Sequence, residues 1–90
     1  MIAVYVDVKD GLLLASKDKS YHALYHILLQ MDTQRNVWYA DNHNKSEIQG
    51  RMNISTSTLA KYISSLVDRK LLLHEGTKGR YSLNMEVFSL

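Results

Sequence analysis

The most informative stretch of this sequence is residues 45–66, KSEIQGRMNISTSTLAKYISSL. Its apolar residues recur at the spacing of a helix, first before Asn53 and again after it. Asn53 tolerates the left-handed backbone conformation that a tight turn between two helices requires. The positions that would form one small core shared by both helices are Ile48, Met52, Ile54, Leu59 and Ile63. The stretch therefore predicts a helix-turn-helix, with Gln49 standing where a small residue would ease the contact between the helices.

Capping residues indicate where these two helices begin. Asn44 followed by Glu47 has the spacing of a capping box, so we expect the first helix at residues 44–53. Ser55 is a good cap for the second helix, and the apolar stripe that follows it predicts a helix, which we call the recognition helix, at residues 55–70.

The chain before this stretch predicts three further elements. In residues 1–16, an alternating run from Ile2 to Val8 comes before the pair Asp10-Gly11 and the apolar run Leu12–Leu14 comes after it, which is typical of a β-hairpin. Residues 17–32 carry apolar side chains at three- and four-residue spacing and predict a helix, for which Ser16 and Ser20 are alternative caps. Residues 36–40 are aromatic and β-branched and predict a short strand.

The chain after this stretch predicts a second hairpin at residues 71–84, because two apolar runs flank a turn that contains Gly76 and Gly79. A hairpin that follows a helix-turn-helix is called a wing. The predicted fold class is α+β: a winged helix-turn-helix of three helices with a C-terminal wing hairpin, preceded by an N-terminal β-hairpin. A chain of 90 residues builds one modest core, so we expect residues 1–90 to form a single domain.

Composition excludes several classes of protein. The chain has 46% hydrophobic and 22% charged residues, which is typical of a globular domain, and no cysteine, which rules out disulfides and thiolate metal sites. The absence of cysteine fits a reducing compartment, so we expect a cytoplasmic protein. We expect no membrane association, because apolar runs stay well below the roughly 20 residues that span a bilayer. The formal net charge is only +2. The excess of positive charge lies in residues 41–81, which contain seven Lys and Arg but only four Asp and Glu.

The candidate DNA-binding residues lie on the helix-turn-helix and the wing. They are Lys45, Arg51, Ser55, Thr56, Ser57, Thr58, Lys61, Ser65, Lys78 and Arg80. Short hydroxyl side chains at the start of a helix can approach base edges or phosphates in the major groove, and basic side chains neutralise phosphates. This interpretation requires the start of the recognition helix and the basic turn of the wing to project outward side by side. Two alternatives stay open: the hydroxyls cap and solubilise the helix, and the wing is an ordinary charged turn.

Other residues give no catalytic signal. His22 and His26 have the spacing of two metal ligands on one helix face, but no third ligand accompanies them, and a solvated pair is favoured. The sequence contains no glycine-rich phosphate loop, nucleophile elbow or paired catalytic carboxylates. We therefore expect neither an enzyme nor a bound cofactor or metal. Trp38 and Tyr39 could stack on bases, although packing in the core or in a dimer interface is favoured.

The segment from Ser20 to Phe88 resembles the winged-helix superfamily, and within it the RepL family of plasmid replication proteins. The similarity lies in the helix-turn-helix, in LVDRKLL at residues 66–72, and in GRYSLNMEVF at residues 79–88. That ending is similar to the pattern Gly-x-Tyr-x-x-Asn-Pro-x-x-Phe of the family, with Met85 in place of the proline. The resemblance implies site-specific binding of double-stranded DNA, commonly as a homodimer, in transcription control or replication initiation.

The function favoured by these observations is that of a phage- or plasmid-type transcriptional regulator that binds double-stranded DNA. One alternative is a replication initiator of the RepL type. Another is a winged-helix scaffold that binds a protein partner, which the small net charge permits. A homodimer is expected in either case, because the apolar N-terminal hairpin needs a cover.

Overall fold

The computed structural model describes residues 17–76 and 79–86. These residues form an α+β arrangement of three helices and one small antiparallel sheet. In chain order the elements are α1 (Lys19–Gln30), β1 (Trp38–Tyr39), α2 (Asn42–Met52), α3 (Thr56–Asp68), β2 (Leu72–His74) and β3 (Arg80–Leu83). The predicted N-terminal hairpin, residues 1–16, lies outside the described residues. Within the described ranges, no helix has the length and apolar character needed to cross a membrane.

The sheet has the strand order β1-β3-β2, so its central strand is the last one in the chain. Trp38 pairs with Tyr81, and Leu72 pairs with Leu83. Because side chains alternate along a strand, these four residues share the face that packs on the helices. Tyr39, which pairs with Arg80, belongs to the opposite face, which we call the outer face.

The core lies between this sheet and the three helices, with Trp38 fully buried at its centre. The indole Nε1 of Trp38 donates to Oε1 of Gln30 at 2.8 Å, and Nε2 of Gln30 donates to the carbonyl oxygen of Asn44 at 3.0 Å. One buried side chain and one glutamine thus connect β1, α1 and α2. The prediction that Trp38 packs in the core is confirmed.

The predicted caps of α1 and α2 are wrong. Asp18 caps α1 in place of Ser16 or Ser20, and its carboxylate accepts from the backbone N–H of Ser20 at 3.0 Å. Asp41 caps α2 in place of Asn44, accepting from the N–H of Asn44 at 2.7 Å, so the helix begins two residues before the predicted start. Glu47 does not close a capping box, because its carboxylate accepts from Gln30 at 3.1 Å.

The remaining elements differ from the predictions mainly in length. The strand predicted at 36–40 is shortened to Trp38–Tyr39, because Asn36 has a positive φ of 53° and ends a turn. The amide of Asn36 then pairs with the backbone of Leu83 in both directions, at 3.0 and 2.9 Å. The helix predicted at 55–70 ends at Asp68, and Lys70 has a φ of 60°. Strands β2 and β3 lie within the predicted wing at 71–84.

Arg69 ties the end of α3 to the start of α1. Its Nη1 lies 2.8 Å from Oδ2 of Asp18, and its guanidinium also donates to the hydroxyl of Ser20 and lies 5.1 Å from the ring centroid of Tyr21. The hydrogen bonds from Ser20, with a smaller contribution from Arg69, hold the pKa of Asp18 below its ordinary value. The two helices that frame the core are therefore joined at their ends as well as through apolar contacts.

Candidate functional site

The turn between α2 and α3 has the left-handed conformation that the sequence predicts. Asn53 has φ 56° and ψ 53°, and its backbone N–H donates to the carbonyl oxygen of Gln49. The N–H of Ile54 donates to the same oxygen at 3.1 Å. Met52 and Ile54, on either side of Asn53, are half-buried against the core. This backbone geometry fixes the direction in which α3 leaves α2.

The four hydroxyl residues at the start of α3 have different local roles. Ser55 caps the helix, accepting from the N–H of Thr58 at 3.2 Å and donating to Oγ1 of Thr58 at 2.9 Å. Its oxygen also lies 3.2 Å from Oγ of Ser57. Thr56 is exposed and accepts from Nε2 of Gln49 at 3.0 Å. Capping therefore occupies Ser55 and Thr58, which is one of the two alternatives for this run, while Thr56 and Ser57 stay exposed at the surface.

The orientation of α3 agrees with the predicted stripe. Its buried residues are Leu59, Ile63 and Leu66. Lys61 is exposed and Ser65 is half-buried, both on the side of the helix away from that stripe. The helix thus presents small polar side chains to solvent, together with Lys61 and, near its end, Asp68. Thr56 and Ser57 are short, so they would not keep the first turn of the helix at a distance from a ligand.

A groove of about 690 Å³ runs between the start of α2, the exposed side of α3 and the sheet, and we call it the α2–α3 groove. Its lining residues include Lys45 and Gln49 from α2, Thr56 and Ser64 from α3, and Tyr81 from β3. Lys61 lies beside it, in a shallow depression that shares Ala60 and Ser64 with the groove.

Gly79 borders the α2–α3 groove where the wing returns to the sheet. It has a φ of 82°, a conformation that side-chain-bearing residues rarely adopt, and its carbonyl oxygen accepts from the N–H of Ala40 at 2.7 Å. Tyr81, two residues later, turns its ring toward Trp38 and His74, with centroid distances of 5.7 and 5.0 Å. The base of the wing is therefore fixed next to the start of α2.

Of the predicted binding residues that the structure describes, Lys45 and Thr56 line this groove, whereas Arg51, Ser55, Ser57, Thr58, Lys61, Ser65 and Arg80 do not. Arg51 lines a separate cavity near α1, because it lies six residues after Lys45 and so on a different side of α2. Arg80 is exposed and belongs to the outer face, since its neighbour Tyr81 faces the helices. Lys78 lies outside the described residues. Gly79 and Tyr39, the sequence neighbour and the strand partner of Arg80, do line the groove. The expected side-by-side placement of the basic wing and the helix start therefore stays a prediction.

Sequence reasoning missed the positive role of Gln49. It stands where a small residue would ease the contact between α2 and α3, yet its amide donates to Oγ1 of Thr56 at 3.0 Å and ties the two helices together. The length of the glutamine side chain was the available signal. Gln49 lies one helical turn before Asn53, and from that position a side chain of this length can reach the helix that follows.

The described histidine and carboxylate side chains do not form a metal site. Within residues 17–76 and 79–86, no three His, Asp or Glu side chains are grouped closely enough to hold a metal ion. His26 is half-buried, and burial lowers its pKa, with smaller effects from the charges of Arg51 and His22.

Comparison of the chain with protein-family models, with curated proteins and with solved structures gave no match.

Proposed function

We propose that this chain binds double-stranded DNA as a winged helix-turn-helix, with α3 in the major groove and the start of α2 against the phosphate backbone. The observation that carries the proposal is that Lys45 and Thr56 line one groove at the start of α3, with Lys61 in the adjoining depression. In this class of motif, the first residues of the second helix contact base edges.

The order of the elements supports the proposal. A helix, a short strand, two helices and a hairpin follow one another, and the first strand pairs with the last strand of the hairpin. This arrangement is compatible with a winged helix. It leaves one side of α3 free of the sheet, and that side is the one with small polar residues.

The side chains around the groove suit close approach to a duplex. Thr56 and Ser57 are short and exposed, so the backbone of α3 can come near the floor of a major groove. Lys45, in the second turn of α2, lines the groove where a phosphate would lie, and Lys61 stands one turn along α3. Short hydroxyls discriminate bases weakly, so we expect the lysines to supply much of the affinity.

The test is a salt titration of DNA binding by fluorescence anisotropy, using a duplex selected from a random pool. Replacing a lysine that contacts phosphate should lower the slope of log Kd against log salt by about 0.9 per bound chain. We expect this reduction for Lys45→Gln and, separately, for Lys61→Gln. Palindromic winners in the selected pool would indicate a homodimer on two half-sites.

The matched control is Arg35→Gln, which removes one positive charge from the loop between α1 and β1. Arg35 is exposed and lies 3.8 Å from the carboxylate of Asp32, away from the α2–α3 groove. Its loss should leave the slope unchanged. Equal slopes for the control and both lysine variants would show that the groove does not face the duplex.

The DNA-binding assay can also distinguish between transcription control and initiation of replication as the cellular role. We propose transcription control, in which occupancy of one operator site is sufficient. Initiation of replication in the manner of the RepL family is the second role, and it requires that the selected sequence lie within an origin. Binding of selected duplexes from promoters and from origins, compared in parallel, separates the two.

Binding to another protein is a second candidate function, favoured by the outer face of the sheet. Tyr39 is 48% exposed and Leu73 is 40% exposed, and the register places both on this face. The central strand β3, with Arg80 and Ser82, lies between these two side chains, and apolar side chains exposed on one sheet face are typical of interaction surfaces. Light scattering of the parent and of Leu73→Ser tests whether this face pairs with a second copy of the chain. A homodimer that Leu73→Ser dissociates would support a protein-binding role for the face, and a homodimer that Leu73→Ser leaves intact would contradict it.

A further inference from the structure

A second cavity, of about 330 Å³, lies where α1, the end of α2 and α3 meet. It is lined by Lys19, His22, His26, Arg51, Met52, Ile54 and Tyr62, and we call it the histidine cavity. Three helices and the turn after α2 contribute to it. It is separate from the α2–α3 groove, with which it shares no lining residue.

The charges around the histidine cavity are one-sided. Lys19 and Arg51 are cations, His22 and His26 can each gain a proton, and none of the described residues that line the cavity is an aspartate or a glutamate. Nδ1 of His26 is buried and has no hydrogen-bond partner among the described residues. Burial and, to a smaller extent, the charges of Arg51 and His22 lower the pKa of His26, so an anion in the cavity would oppose the effect of the neighbouring positive charges.

From this geometry we infer that the histidine cavity binds a small phosphate-bearing ligand. An anion placed among Lys19, Arg51 and the two imidazoles would replace mutual repulsion with attraction, and the guanidinium of Arg51 can hold two phosphate oxygens at once. The phenol of Tyr62 adds a neutral donor at the wall formed by α3. A metal ion is disfavoured at this position, because Lys19 and Arg51 bring two positive charges to the cavity that the two histidines line.

The size of the cavity restricts the ligand to a small one. Its volume is at the lower end of the range of about 300–1,000 Å³ found for small-molecule sites. Met52 and Ile54, which line it, are the neighbours of Asn53 in the turn before α3. An occupant would therefore contact all three helices at the point that sets the direction of α3, and would stabilise that arrangement by mass action.

The experiment uses the full chain and inorganic pyrophosphate, titrated at constant ionic strength while the imidazole signals of His22 and His26 are followed by NMR. We expect saturable shifts of both signals. Arg51→Gln should raise Kd by about tenfold or more, because a charge-assisted contact is lost. Arg51→Lys keeps the charge and should bind more tightly than Arg51→Gln. Parallel titration with ADP separates recognition of phosphate alone, for which the two affinities are equal, from recognition of a nucleotide.

The matched control is Arg35→Gln, which removes one positive charge from the loop between α1 and β1 and should leave the pyrophosphate Kd unchanged. Equal weakening by Arg35→Gln and Arg51→Gln would overturn the inference, because binding would then follow net charge alone. Shifts that do not saturate would also overturn it. So would an Arg51→Gln variant that loses DNA affinity and keeps its pyrophosphate Kd, since Arg51 would then serve the duplex.

Discussion

Replacing Asn53 by alanine should lower the free energy of unfolding by about 1 kcal/mol. The left-handed backbone conformation is sterically unfavourable for alanine, whereas asparagine tolerates it. Asn53 holds a φ of 56° in the turn between α2 and α3. Its side chain makes no hydrogen bond within the described residues, so the substitution changes backbone preference and little else. In a domain of 60–100 residues, this loss corresponds to a fall in Tm of about 4–8 °C.

The matched variant is Asn53→Gly. Glycine adopts the same φ without strain but adds freedom to the unfolded chain, and these effects oppose each other. We expect its stability to lie within about 0.5 kcal/mol of the parent protein. Thermal and urea denaturation, followed by far-UV circular dichroism, measure both variants. An alanine variant as stable as the glycine variant would refute the reasoning, since it would show that the turn does not require a positive φ.

Two further predictions concern the ties between elements. Trp38→Phe should lower the free energy of unfolding by about 1–3 kcal/mol, since it leaves Oε1 of Gln30 without its buried donor, and urea denaturation measures this loss. Folding lowers the pKa of Asp18, so the stability that its carboxylate contributes is present above the ordinary pKa of 3.8 and is lost as the pH falls through the lower, folded value. Asp18→Asn should therefore flatten the acid limb of the urea midpoint plotted against pH, and an acid limb identical to that of the parent would contradict the assignment.

Local signals were sufficient for α3 and the turn before it. Ser55 caps α3 as predicted, because its hydroxyl finds the N–H of Thr58 three residues later regardless of the rest of the fold. Asn53 takes the left-handed conformation for an equally local reason. The end of α3 was predicted too late, since Lys70 turns to a positive φ where the chain must leave the helix for β2.

The start of α2 could not be predicted from capping preferences alone. Asp41 and Asn44 are both good caps, and contacts distant in sequence decide between them. The side-chain amide of Asn44 donates to the carbonyl oxygen of Tyr39 at 2.8 Å, and Glu47 is held by Gln30 of α1. Both members of the expected capping box are thus engaged elsewhere. Asp41 caps α2 instead, and the helix begins at Asn42.

The displaced candidates for DNA contact were predictable from periodicity. Lys45 and Arg51 are separated by six residues, which at 3.6 residues per turn places them on different sides of one helix. Arg80 precedes Tyr81, and neighbours in a strand point to opposite faces. A count of charges along the chain does not show on which side of a helix or strand each charged side chain lies. The site keeps Lys45 and Lys61, and it gains Gln49 as the link to Thr56.

The two lysines also make the number of chains on the DNA measurable. Each phosphate contact contributes about 0.9 to the salt slope, so Lys45 and Lys61 together account for about 1.8 per bound chain. The double variant Lys45→Gln, Lys61→Gln should lower the slope by about 1.8 if one chain binds, and by about 3.6 if a homodimer covers two half-sites. Since this difference does not depend on the other cations of the chain, it separates the two stoichiometries. A double variant with the parent slope would remove the α2–α3 groove from the interface altogether.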